Sequence, residues 1–134
     1  MPDTHFGVAW VAFALAVAVH VADEAAHDFL SVYNPTVRAI RARVPFLPMP
    51  TFSFPLWIGG LAAGIALLLI ISPSAFAGNA TLRLIAWPLA ILVGIGNEML
   101  HLVGSAWRRR RLPGVYSAPL LLAAGAALLK TAIH

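Results

Sequence analysis

The sequence predicts an all-α integral membrane protein, a four-helix transmembrane bundle with both termini on the outer side. Three observations predict it. The first is composition: 60% of the 134 residues are hydrophobic and 10% are charged, whereas a soluble domain is about half apolar and about a quarter charged. The mean hydropathy is +0.86. The second is that the apolar residues fall into four stretches near the roughly 17–25 residues that a bilayer core requires. The third is that the basic residues gather between those stretches.

Each span has its own limits. The first, about 6–30, ends in the polar stretch HVADEAAHDFL, His20 to Leu30. The second, 54–71, is stopped by Ser72-Pro73. The third is 82–107, and the fourth, 116–133, is the shortest and richest in alanine. They form a single membrane domain, 1–134. Arg38, Arg41 and Arg43 follow span one, and Arg108, Arg109, Arg110 and Arg111 follow span three, which makes seven of the nine basic residues. The positive-inside rule makes the loops 31–53 and 108–115 cytoplasmic. Spans one and three then run parallel. The sequence pI near 10.8 is therefore a topology signal, and no nucleic-acid partner is expected. No basic residue precedes the first apolar run, so no signal peptide is expected. Cysteine is absent, which excludes disulfides and thiolate ligands.

The loop 31–53 carries Pro35, Pro45, Pro48 and Pro50. Between the first two, Val37, Ile40 and Val44 share a helical face beside arginines, which predicts a short interfacial helix. It reads as a basic linker, with a lid or lipid entrance as the functional alternative. Gly60 and Gly64 in span two predict close helix packing and are compatible with a homo-oligomer.

The chain has five acids, and three of them stand beside histidines in or near the spans. His20, Asp23, Glu24 and His27 follow i, i+3, i+4, i+7 and share one helical face. Asn97, Glu98 and His101 share a face of span three. Parallel spans bring these faces to one depth near the cytoplasmic side. Glu24 with His27, and Glu98 with His101, are two Glu-x-x-His pairs, the arrangement that carboxylate-bridged di-metal bundles use together with further glutamates. Spans two and four offer no acid, so His20 and Asp23 would complete the set. Three histidines and three carboxylates suit one or two ions of iron, zinc or manganese.

Energetics point the same way. An acid at the centre of a membrane helix costs roughly 2.5–3.5 kcal/mol on insertion scales. Glu98 lies ten residues before Arg108, about 15 Å along a helix, so it needs a partner, water or a proton. The bland alternatives are interfacial acids at Asp23, Glu24 and Asp28, and His–Glu pairs that merely hold helices together. Asp28 is expected to be solvated, and His5 and His134 to be idle.

At these residues the chain resembles the HXXEE domain family, small bacterial membrane proteins of uncharacterised function. The His-x-x-Glu-Glu motif is matched by His20, Asp23 and Glu24, with Asp for the first Glu. A later Asn-x-x-x-His is matched by Asn97 and His101, and a Pro-Gly after a basic stretch by Pro113 and Gly114. Glu98 lies outside that pattern. The resemblance implies a multi-pass protein of the bacterial inner membrane and an enzymatic role, without a reaction.

The expected function is a membrane metalloenzyme acting on an apolar or lipid-like small molecule near the cytoplasmic face, by oxidation, hydroxylation or hydrolysis. His20, Asp23, Glu24, His27, Glu98 and His101 are the candidate ligands. Glu24, Asp23 and Glu98 are the candidate acid–base groups, and Asn97 is a supporting hydrogen bonder. Two alternatives stand beside it. One is a metal-free acid–base isomerase or lyase using the same groups. The other is a haem or electron carrier, or an ion conduit.

Overall fold

The structure is a computed structural model and describes residues 2–134. Among these the regular structure is all helical. Helix α1 is Thr4–Ala26 and α2 is Phe29–Arg43. Helix α3 is Phe54–Ile70, and α4, Ser72–Phe76, follows it directly. Helix α5 runs over Ala80–Arg108, and α6 is Ala118–Ile133. Two of these, α1 and α5, are long and apolar enough to cross a membrane, and α3 and α6 are shorter apolar helices. Large side chains such as Val8, Leu15, Leu56, Ile70, Leu84, Leu92 and Leu120 point outward and stay exposed.

Helix α1 is the centre of the bundle and packs on α3, α4 and α6. Asp3 caps its first turn, its carboxylate accepting from the Phe6 N–H at 3.0 Å. The buried stripe then runs Phe6, Trp10, Phe13, Ala16, His20, Glu24, in steps of three and four that keep one face inward. The first half of that stripe is the apolar core, with Leu121, Leu128 and Ala132 of α6 and Ala86 and Ala90 of α5. The Trp10 indole N–H donates to the Leu68 carbonyl at 2.8 Å, tying α1 to α3.

Helices α1 and α5 run parallel. Asp3 pairs with Arg83, His20 meets Glu98, and Glu24 meets His101. Both partners advance together along the chain, which antiparallel helices could not do. Helix α5 is not a uniform α-helix: Leu89–Gly96 is π-helical, directly after Pro88. Around that stretch the buried positions Ala86, Ala90, Gly94 and Glu98 lie four apart each time, with Leu82 four before them and His101 three after. In an α-helix of 3.6 residues per turn, every step of four overshoots by about 40°, so three steps would turn Glu98 far off the face. The π stretch has more than four residues per turn and cancels that drift.

The close helix crossing is Gly94 against Gly125 of α6, where an added Cβ on either would come within 2.8 Å of the other's backbone. It is not at the expected pair in α3, because Gly60 and Gly64 have nothing within 4 Å of an added Cβ. The first span also differs from the expected 6–30. Helix α1 stops at Ala26, and Asp28 takes a left-handed conformation with φ 54°, which Asp tolerates better than most residues. Helix α2 therefore starts at Phe29, and Pro35 sits inside it rather than before it. The segment after α2 is held in place. Asn34 exchanges two hydrogen bonds with the backbone of Phe52, and the Tyr33 hydroxyl donates to the Pro50 carbonyl.

Gly125→Ala is expected to lower stability in detergent by about 1–3 kcal/mol, the range for overpacking against backbone that cannot move; Gly60→Ala should cause no loss, as thermal unfolding of both variants would show. The Asp3 carboxyl is held below its usual range, first by the Phe6 N–H and then by the Arg83 charge. A depressed carboxyl contributes stability above its unfolded pKa and loses it as pH falls through the folded value. The difference in melting temperature between the native chain and Asp3→Asn should therefore be present at neutral pH and vanish on acidification.

Candidate metal centre

Three ligand atoms meet where the α1 stripe turns polar. The Glu24 Oε1 atom lies 3.4 Å from His20 Nε2 and 3.2 Å from His101 Nε2. All three residues are buried, and the group could hold a metal ion. The spacing has a physical reading. A direct charged N–H···O bond is about 2.7–2.9 Å, whereas two atoms ligating one tetrahedral ion at about 2.0–2.1 Å sit about 3.3 Å apart. The two separations from Glu24 Oε1 match the second case. The two imidazoles meet edge to face, with ring centroids 4.9 Å apart.

A hydrogen-bond chain sets the His20 ring. Ser117, at the head of α6, donates both its backbone N–H and its hydroxyl to Asp23 Oδ2, at 2.9 and 2.8 Å. Its hydroxyl has one proton, so towards His20 Nδ1, 2.9 Å away, it accepts. The Nδ1 atom then carries the hydrogen, and Nε2 presents its lone pair to the group. Metal-ligating histidines are oriented by such a bond on the other nitrogen. The order Asp–Ser–His is not that of a nucleophilic triad, because the serine proton goes to the carboxylate.

Gly114 closes one side of the group. Its φ of 87° favours glycine, and an added Cβ would come within 2.8–3.0 Å of ring atoms of both His20 and His101. Asn97 donates to Glu98 Oε1 at 2.9 Å, and its Nδ2 lies 3.4 Å from His20 Nε2. Glu98 is fully buried, its Oε2 3.3 Å from His20 Nδ1 and without a hydrogen-bond partner among the described residues. A buried carboxylate oxygen without a partner is costly and marks a place for a proton or a further ligand.

The structure thus brings together His20, Glu24 and His101, with Glu98 and Asn97 against them. Asp23 stands one step away, behind Ser117. His27 is half exposed, its Nδ1 2.8 Å from Asp23 Oδ1, with its ring beside Tyr116. It falls on the stripe by spacing, but α1 ends one residue before it. Asp28 is exposed, in the left-handed turn. Ser117 and the role of Gly114 escaped the sequence reading. The available signal is a Pro-Gly turn with a serine three residues on at a helix start, which says that a turn exists but not what it covers. No family model, curated protein or solved structure matches the chain.

Ser117→Ala frees the His20 ring and should weaken retention of a bound divalent ion by about 10–100-fold, the usual effect of losing a ligand's hydrogen-bonding support. His27→Ala should leave retention unchanged. Competition with a chelating dye, followed on both variants, separates the two cases.

Proposed function

We propose that the protein is a membrane-embedded metal-dependent enzyme of the bacterial inner membrane, and that α1, α3, α5 and α6 are its four spans. The observation that carries this reading is the approach of His20 Nε2 and His101 Nε2 to Glu24 Oε1, each at tetrahedral-edge spacing from it, in a buried group whose ligand atoms all lie within 4.8 Å of one another. Two histidines and one carboxylate leave coordination positions open to water or substrate. The same set serves catalytic zinc and the facial triad of non-haem iron. The geometry favours one ion, because His27 is turned to Asp23 and Glu98 Oε2 lies on the Nδ1 side of His20. In zinc form the ion would supply an activated water for hydrolysis, and in iron form a site for oxidation or hydroxylation. Glu98 would hold or take a proton beside the group, kept in place by Asn97. Asp23 would act through Ser117 to orient His20.

The membrane reading rests on the apolar exterior. Exposed Leu, Ile and Val side chains ring the bundle, a surface that soluble monomers rarely show beyond a few hundred Å². Helices α3 and α6 have 17 and 16 residues, about 25 Å each against a hydrocarbon core of about 30 Å. Helix α4 extends the first of them. Both Arg-bearing loops would face the cytoplasm, with the termini outside. The likeness to the HXXEE family belongs to the same proposal. A haem is poorly served here, since both Nε2 atoms lean on one carboxylate oxygen and Gly114 abuts both rings, leaving no plane for a macrocycle.

Elemental analysis of gently purified protein should find one equivalent of iron, zinc or manganese. It should be lost in His20→Ala, Glu24→Gln and His101→Ala and kept in His27→Ala. Metal-free native protein would sink this reading and favour acid–base isomerase or lyase chemistry by the same side chains. A Soret band would favour the haem carrier.

A further inference from the structure

Helix α2 presents a graded face to the candidate centre. Phe29, Tyr33, Thr36, Ile40 and Arg43 recur at steps of three and four, so they lie on one side of the helix. Three adjoining depressions line up along it. An apolar one of about 340 Å³ lies between Phe29, Tyr33, Trp57, Gly60 and Leu61. The middle one, about 440 Å³, shares Phe29 and Tyr33 and reaches Asn97 and His101. The third, about 360 Å³, shares Thr36 and Arg108 with the middle one and ends at Arg43. Each has the size of a small-molecule site. The run is apolar at the α3 end and basic at the other. Arg43 and Arg108 meet no carboxylate among the described residues, and both are exposed.

The dimensions suit one class of occupant. Phe29 to Arg43 is about 21 Å of helix. A lipid in one leaflet, from headgroup to bilayer midplane, also spans about 20–22 Å, half of a membrane about 40–45 Å thick. We infer that this run binds an anionic phospholipid of the bilayer, its phosphate between Arg43 and Arg108 and an acyl chain along Phe29, Tyr33 and Trp57 towards Gly60. Arginine forks suit phosphate oxygens, and their charge selects against a neutral headgroup. The acyl chain then passes His101, the member of the metal group that lines the middle depression and whose ring lies 6.2 Å from that of Phe29. This assignment rests on the metalloenzyme reading for its chemistry, though not for its binding.

The test is native mass spectrometry of the detergent-solubilised chain, mixed with phosphatidylglycerol or with phosphatidylcholine of the same acyl chains. One phosphatidylglycerol should be retained about tenfold more strongly than phosphatidylcholine, a difference of about 1.4 kcal/mol. The double variant Arg43→Gln/Arg108→Gln should lose that preference. Arg38, Arg41, Arg109, Arg110 and Arg111 remain to set topology, and both substituted side chains are exposed, so the fold should hold, as unchanged helical circular dichroism would confirm. At Gly60 an added Cβ meets nothing within 4 Å, so Gly60→Phe puts a ring into the apolar end and should weaken retention of both lipids. Equal retention of the two lipids, or a preference unchanged in the double variant, overturns the assignment. Metal is measured on the same samples. Retained lipid in metal-free Glu24→Gln supports the site even where the metal reading fails, and metal retained in the double variant keeps the two readings apart.

Discussion

Glu24 sits between two histidines that arrive from different parts of the chain, and much of the bundle's arrangement serves that contact. His20 comes from the same helix one turn earlier. His101 comes from α5. The loop before α6 passes over both rings at Gly114, and its Ser117 hydroxyl fixes the first of them. A carboxylate in an apolar bundle has little water to solvate it, and its energy depends on what protein or bound ion faces it. Moving α5 away from α1 would take away one of its two histidine partners. The contact therefore demands that α1 and α5 run parallel and in register, a demand the Asp3–Arg83 pair meets at the other end.

The π-helical stretch of α5 follows from the same demand. Gly94 has to cross Gly125 closely, and Glu98 has to reach His20 one turn later on the same face. A regular helix cannot satisfy both with residues four apart, because its face rotates. Underwinding over Leu89–Gly96 reconciles them. Pro88, which has no N–H to contribute to the ladder, sits where the regular bonding gives way. Asn97 then begins the next α-helical segment with its amide on Glu98.

How much of this the sequence showed depends on the periodicity involved. The stripe Phe6, Trp10, Phe13, Ala16, His20, Glu24 obeys a simple 3.6 repeat, so the inward placing of His20 and Glu24 was legible. The pairing of spans one and three came from counting arginines, and the contacts of Glu24 with His101 and His20 with Glu98 accord with it. The spacing gives no warning that His27 stands apart from the group, because nothing in AAHDF announces that the helix ends at Ala26; the left-handed turn at Asp28 carries no glycine. The π stretch is invisible to a fixed period. Ser117 reads as an ordinary helix-start residue until α1 is placed beside it. Gly60 and Gly64 carry a packing pattern with no partner among the described residues, whereas Gly94 and Gly125, far apart in sequence, make the contact.

The surroundings of the group also decide from which side it can be reached. His20 is backed by Ser117 and Asp23, and Glu24 is buried between the two imidazoles. Gly114 covers the side where the rings meet. Of the three, His101 alone lines the large depression beside α2, with Asn97 next to it and the Phe29 ring 6.2 Å from its own. A molecule approaching the group along α2 meets His101 first. The turn at Asp28 is what lays α2 there: a span continuing straight to residue 30 would have carried Phe29 and Tyr33 away from α5 and left His101 open to whatever lies beside the bundle. The residue that most disturbs the simple helical reading of HVADEAAHDFL is thus the one that turns a buried polar cluster into a site with a wall and an approach.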